Sequence, residues 1–428
     1  MAVWREEPEC EPAAAGMKPE VLDELAGNFS QAVDEAALFN GAQMAVYRHG
    51  RLVLSVGGGL ARARTATPVS PDTMFVIFSS TKGLAALAMW MLHERGAFDF
   101  DEPVVKYWPT FDSQVAEKSK VTIRHVMGHR GGFPTGPEWF TARWWGDREA
   151  LVRAMEEAPL AWAPGEANGY HPLNFGWVLD QLCVLTDSQG RDMGQFLLDE
   201  VFVPLQITGA FVGLPDDPAL EARVAWAEDP QEPVDGDPPA PGASPQTPAI
   251  QGDLAFRSPI QHDRHRETPE LSIPWNRPAV HRAVVPGAGG VATARDLAKV
   301  YAVLALGGEL DGVRLISTES LEQAIVPTNA EGDVDRTLGT PMRWGTGWHI
   351  GTAAEQLRAA LGPAAGDPAA EHSNMRFFGH GGRGGQMGWA ALDRALSFAF
   401  TTTGQLRVAE YQAWMLEMQR LVFEACID

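Results

Sequence analysis

Strand-patterned segments stand near both ends of this chain, and the long stretch between them is patterned for helix. Near the N-terminus, residues 43–56 read as a hairpin: Met44-Ala45-Val46-Tyr47 and Leu52-Val53-Leu54 are apolar runs joined by His49-Gly50-Arg51 as the turn. Residues 73–78 form a further short apolar extended segment. Toward the C-terminus, residues 345–350, 376–379, 386–392 and 397–402 have the same character. Residues 83–215 instead carry helical patterns, including helices at 122–127 and 147–158 that are stopped by Gly131-Gly132-Phe133-Pro134 and by Pro159. The economical topology is one sheet built from both termini. The predicted fold class is therefore α/β: a central antiparallel sheet built from both chain ends and flanked by helices, with an inserted mainly helical lobe. The α/β part takes residues 19–82 and 285–428, and the lobe takes residues 83–284.

Three flanking helices are predicted. One covers residues 17–37, on the spacing of Val21, Leu22, Leu25 and Phe29. A second, residues 297–306, follows the capping box Thr293-Ala294-Arg295-Asp296 and ends at Gly307-Gly308. The last, residues 408–426, carries Tyr411, Met415, Met418, Leu421 and Val422 on one side. Residues 1–18 are rich in Pro, Glu and Ala and read as a loose arm. Residues 214–274 are proline-rich with little periodicity; such a segment is a lid, a binding loop or a surface insertion.

At 428 residues the chain exceeds one ordinary core. Its net charge of −21, with no long Lys/Arg stripe, argues against nucleic-acid partners. The acidity serves solubility or steers cationic substrates. Cys10, Cys183 and Cys426 are too few for a disulfide framework, and Cys183 lies in an apolar stretch as a small core residue. The N-terminus lacks the pattern of a secretory signal and no apolar run is long enough to span a bilayer, so a cytoplasmic location is expected. The oligomeric state is not legible.

Chemistry concentrates at Ser79 and Lys82, which stand three residues apart ahead of the apolar run from Leu84 to Leu92. On a helix they share a face, and a lysine placed there can take the serine's proton. A lone S-x-x-K has low specificity. Two further segments occur in order: Gly169-Tyr170-His171 with Leu173-Asn174-Phe175-Gly176, and His380-Gly381-Gly382-Arg383-Gly384-Gly385 between apolar strands.

In this order the segments resemble the serine β-lactamase / penicillin-binding-protein superfamily, and within it the class C-like branch that includes the family VIII carboxylesterases. Pro71-Asp72-Thr73-Met74-Phe75, the run Thr122-Ile123-Arg124-His125 to Gly132, residues 287–297 and Asp311-Gly312-Val313-Arg314-Leu315-Ile316-Ser317 are similar to the family's flanking patterns. The resemblance implies Ser79 as acylated nucleophile and Lys82, in concert with Tyr170, as its base. It implies an oxyanion hole from the backbone N–H groups of Ser79 and Arg383, and a strand at His380, Gly381 and Gly382 against which substrate lies. Two departures stand out: Tyr170-His171-Pro172 replaces Tyr-x-Asn, and His380-Gly381-Gly382 replaces Lys-Thr-Gly. An imidazole holds an anionic substrate less strongly than a fixed cation. The expected function is therefore hydrolysis of a small-molecule carboxylic ester. The alternatives are acyl transfer, amidase or peptidase action with weak β-lactamase activity, or an inactive binding protein.

Other readings stay beside these. Ser79 and Lys82 can be a helix cap and a solvated lysine; Tyr170 and His380 can be satisfied core residues. Trp139, Trp144, Trp145 and Trp162 can be lobe packing, or Trp144 and His171 can line a substrate wall. His125 and His129 are spaced i, i+4, but no third ligand is evident and no metal is expected. Gly287-x-Gly289-x-x-Ala292 imitates a dinucleotide fingerprint, but Pro286 interrupts the preceding run and no βαβ repeat surrounds it, so no cofactor is expected.

Overall fold

The computed structural model describes residues 2–35, 38–228, 273–351, 376–404 and 408–427. Its strands, in chain order, are β1 (Val3–Arg5), β2 (Gly41–Arg48), β3 (Arg51–Arg62), β4 (Thr67–Pro68), β5 (Phe75–Val76), β6 (Ala210–Val212), β7 (Gly290–Ala292), β8 (Glu309–Leu310), β9 (Val313–Arg314), β10 (His349–Ile350), β11 (Phe377–Gly381), β12 (Met387–Ala391) and β13 (Leu396–Thr402). Among the described residues the main sheet has eight strands, ordered β1-β3-β2-β13-β12-β11-β10 with β4 on β3. Every pairing in it is antiparallel, and β13 joins β2 directly. The fold is thus α/β, with N- and C-terminal strands in one sheet flanked by helices.

The sheet is covered on both faces. Met44 and Val46 point to one core with helices Pro19–Glu35 and Val408–Glu424, through Leu22, Leu25, Phe29, Met418 and Leu421. Their neighbours Ala45 and Tyr47 point the other way, as the two-residue strand period requires. That second core includes Leu84, Leu87 and Met91 of helix Thr81–Glu94, Phe175 and Leu179 of helix Asn174–Thr186, and Leu297 and Tyr301 of helix Ala294–Ala305. Helix Thr81–Glu94 is buried on all sides from Thr81 to Leu92, as its apolar run from Leu84 to Leu92 demands. Among the described residues no helix is long and apolar enough to cross a membrane.

The hairpin turn is His49-Gly50 alone, both with positive φ (49° and 73°), while Arg51 already pairs with Arg48. This is the two-residue turn whose twist suits adjoining strands. The predicted strand at 345–350 shrinks to His349–Ile350, because Gly347 turns the chain at φ 106°. The capping box is half realised. Thr293 Oγ1 accepts from Asp296 N at 3.0 Å, but the Asp296 carboxylate accepts from Gly209 N at 2.8 Å instead of reaching back. Thr293 N–H donates to Gly209 O, because β6 pairs with β7 just before the helix and takes over that donor. Of the predicted loop 214–274, residues 229–272 lie outside the described residues; residues 214–228 include the short helix Pro218–Ala222.

Of the predicted loose arm 1–18, the described residues 2–18 are not loose as their composition predicts. β1 pairs with β3, with Trp4 opposite Gly57, where a Cβ would stand 2.2 Å from the indole. The arm's acids serve as ligands and do not simply solvate it: Glu6 accepts from Ser55 Oγ at 2.5 Å and pairs with Arg295, and Glu9 accepts from Leu52 N at 3.0 Å. The indole of Trp4 donates to Val69 O at 3.1 Å. Trp4→Ala should lower stability by about 2 kcal/mol, less than the ~3–5 kcal/mol of a fully buried tryptophan. Thermal denaturation checks this, and an unchanged midpoint would return the arm to the loose state.

Candidate active site

β5 leads into the turn that carries Ser79. Ile77 N–H donates to Gly290 O of β7 at 2.9 Å, and the chain then bends through Phe78 at φ 44° into the turn Phe78–Ser80 and helix Thr81–Glu94. A bulky residue in the left-handed region costs ~1–3 kcal/mol and persists only when its surroundings enforce it. Here Thr81 Oγ1 donates to Phe78 O at 2.6 Å, Ser80 Oγ donates to His380 O at 3.0 Å, and the Phe78 ring meets Trp275 edge-on at 5.3 Å. Ser80, Thr81 and Lys82 are buried, while Ser79 keeps partial exposure. Its backbone N–H lies in the first turn, among the donors a helix start leaves without intrahelical acceptors.

Lys82 is completely buried. Its Nζ lies 3.3 Å from Ser79 Oγ and donates to Gly287 O at 2.6 Å and Pro172 O at 2.7 Å. Burial, with a hydroxyl and two carbonyls but no carboxylate around it among the described residues, pushes its pKa well below the usual lysine range. The carbonyls also satisfy a neutral amine: two N–H bonds fill them and the lone pair is left for the serine. Gly176 makes this cage possible. A Cβ there would lie 2.0 Å from Gly287 N, so the absence of a side chain lets helix Asn174–Thr186 touch the loop that carries Gly287 O.

Tyr170 completes the cluster. Its hydroxyl donates to Ser79 Oγ at 2.6 Å, and Lys82 Nζ sits 4.7 Å from its ring centroid. Burial pushes the phenol pKa up, only partly opposed by the bond to Ser79, so the resting group is a neutral phenol. Three successive backbone donors fix this segment. Gly169 N donates to His129 O at 2.9 Å, Tyr170 N to Asp335 Oδ1 at 2.8 Å, and His171 N to His129 Nδ1 at 3.2 Å. His129 is therefore a buried brace, and His125 accepts from Thr122 N at 3.3 Å to cap its own helix. Among the described residues no group of three or more His, Cys, Asp or Glu is placed to hold a metal ion.

β11 forms the opposite rim. A Cβ on Gly382 would lie 2.5 Å from Ile77 O and 3.2 Å from Ser79 N, so this glycine lets the rim close on the Ser79 turn, with Arg383 next in the chain. Gly381 is exposed there. His380 is buried with its ring 6.2 Å from Tyr170, and Nδ1 faces Gly381 O at 2.6 Å. Sequence reading missed His349, whose ring lies 4.1 Å from that of His380. Burial pushes both imidazoles down, His349 to about 3, so this wall is uncharged at neutral pH.

Two predicted substrate contacts fare differently. His171 is only 1% exposed and its Nε2 accepts from Phe133 N at 3.0 Å. It points into the lobe core and not into the site, because the segment alternates sides and Tyr170 takes the site-facing position. Trp144 is half-buried, 6.4 Å from Trp139, with the Arg143 guanidinium 4.7 Å over its ring. Its contacts belong to the lobe, and the structure does not bring it to the serine cluster. Asp335 and Trp344, which grip Tyr170, were also missed: neither belongs to a motif, and only folding brings them to residue 170.

The close approach at Gly176 is testable. Gly176→Ala should cost about 1–3 kcal/mol through overpacking. Gly146→Ala, where nothing lies within 4 Å of the added carbon, should leave the thermal midpoint unchanged. Equal midpoints for the two variants would refute the packing argument.

The beta-lactamase family model matches residues 26–419. The chain is 31% identical over 376 residues to the esterase/beta-lactamase LipL of Mycobacterium tuberculosis, covering 84% of this chain and 76% of that one. Its fold is similar to that of a penicillin-binding protein homolog from Caulobacter crescentus, with a TM-score of 0.74 and 26% identity over 99% of this chain and 100% of that one. A family VIII carboxylesterase superposes with a TM-score of 0.73 and 25% identity over 97% of this chain and 100% of that one. The match runs through the sheet, the serine turn, the tyrosine segment and the glycine rim, and the chain belongs to the beta-lactamase family.

Proposed function

We propose that this beta-lactamase-family serine hydrolase cleaves carboxylic esters through an acyl-enzyme on Ser79. The observation that carries the reading is the placement of Ser79 Oγ between the Tyr170 hydroxyl at 2.6 Å and Lys82 Nζ at 3.3 Å. In this mechanism the Lys82 amine takes the Ser79 proton as Oγ attacks the ester carbonyl. The oxyanion is held by the backbone N–H groups of Ser79 and Arg383, each worth about 2.7–4 kcal/mol when lost. As the tetrahedral species collapses, Tyr170 gives its proton to the departing alkoxide and regains one from the Lys82 ammonium. Water then attacks the acyl-enzyme with the same groups acting in reverse.

The rim supports an uncharged ester as substrate. Where penicillin-recognising relatives present lysine, this chain presents His380 against His349, both kept neutral by burial. A substrate carboxylate finds no fixed cation on that wall. Slow β-lactam turnover is a second reading, supported by the paired activities in the name of the LipL relative. Acyl transfer to an alcohol or amine uses the same acyl-enzyme and differs only in the acceptor.

Ser79→Ala should abolish hydrolysis of short nitrophenyl esters while the fold survives. Ester panels of graded length beside a chromogenic cephalosporin rank the substrates, and a variant that turns over at near wild-type rate overturns the reading. The active form of the Lys82/Tyr170 pair carries a neutral amine at Lys82 and a protonated phenol at Tyr170. Because burial lowers the lysine pKa, kcat/KM should rise with pH along a limb below the usual lysine value of 10.5, and that limb belongs to the pair. Lys82→Met should lose both the limb and most of the rate; an unchanged profile would remove Lys82 from the mechanism.

A further inference from the structure

We propose that Asp335, braced by Trp344, is a positioning residue that holds the Tyr170 phenol over Ser79. The inference rests on the serine-esterase reading above and assigns it a component that no motif contains. Asp335 is completely buried. Its Oδ1 accepts from the backbone N–H of Tyr170 at 2.8 Å, Thr337 at 2.9 Å and Leu338 at 2.9 Å, and its Oδ2 accepts from Trp344 Nε1 at 3.3 Å. The Trp344 ring in turn stacks on the Tyr170 ring, with centroids 5.7 Å apart and planes 11° from parallel. One carboxylate therefore ties together the backbone of Tyr170 and the aromatic plate that fixes its ring. Arg336 N–H donates to Asn168 O at 2.9 Å and extends the same junction. The 2.6 Å contact between phenol and serine depends on where this segment is held, and a displacement of about 1 Å at a reacting group can cost ~10²-fold in rate.

The carboxylate also has an electrostatic consequence. Among the described residues, the titratable groups placed around Tyr170 are Lys82 from the serine helix, His129 and His171 from the lobe, His380 from β11, His349 beyond Trp344, and Asp335. Burial keeps the four imidazoles neutral, so Lys82 and Asp335 are the members able to carry charge. A negative charge at Asp335 disfavours a phenolate at Tyr170, the member of the Lys82/Tyr170 pair whose backbone it holds. Removing it lets the pair lose its proton more easily, so the ascending pH limb should move to lower pH.

The test compares wild type, Asp335→Ala, Asp335→Asn and Trp344→Phe, using nitrophenyl butyrate turnover, fluorophosphonate labelling of Ser79 and thermal midpoints. Wild type that neither labels nor turns over would sink the esterase reading itself, and the inference with it. With an active wild type, Asp335→Ala should lower kcat about 100-fold with KM changed less than about threefold. Asp335→Asn keeps an acceptor for Tyr170 N–H, so it should stay within about tenfold of wild type, and its pH limb should shift down by roughly half a unit. Trp344→Phe should lower kcat about threefold to tenfold while leaving the limb in place. Asp335→Ala within threefold of wild type overturns the proposal, as does an Asp335→Asn limb that does not move. If Asp335→Ala fails to fold, the Asp335→Asn limb and the Trp344→Phe rate decide in the same way.

Discussion

The site depends on hiding one amine. Lys82 is buried among apolar residues, and a buried amine must find acceptors or cost several kcal/mol. Its acceptors come from Pro172 and Gly287, 90 and 205 residues away in sequence. Satisfying that one group draws together the serine helix, the tyrosine segment of the lobe and the loop entering β7. The requirement that assembles these parts also lowers the lysine pKa, so the packing constraint and the chemistry are the same fact.

Around that amine the backbone is forced into close quarters. Phe78 takes a left-handed conformation, Gly176 lies against the chain at Gly287, and Gly382 lies against Ile77 O. Each arrangement is unfavourable for an ordinary residue and is held by neighbours that are themselves buried. A serine presented on such a turn has little freedom to move away from its partners. The wall beside it at His380 and His349 is built from imidazoles that burial keeps neutral.

Much of this was legible before folding. The spacing of Ser79 and Lys82 needs only one helical turn, and the Tyr170 and His380 segments carry local signatures. The strands at both ends follow from alternation and apolar runs. Other features were misread because their signals are not local. The Pro/Glu/Ala composition of the N-terminal arm suggested looseness, yet its acids are matched to Ser55, Leu52 and Arg295, and its tryptophan fits over a glycine of β3. His171 sits beside the right tyrosine but faces the core. Asp335, Trp344 and His349 come from a segment with no motif of its own.

The sequence by itself determined which groups exist at helical or strand spacing: the hydroxyl, the amine one turn away, the phenol, the glycine-lined strand and the sheet's two sources. These are properties of a few neighbouring residues and survive without a fold. Only the tertiary structure decided which side of the tyrosine segment faces the serine, what satisfies the buried amine, and which distant carboxylate and indole hold the phenol. Those choices turn on desolvation and packing between segments far apart in the chain, where a buried donor accepts whatever partner the fold delivers.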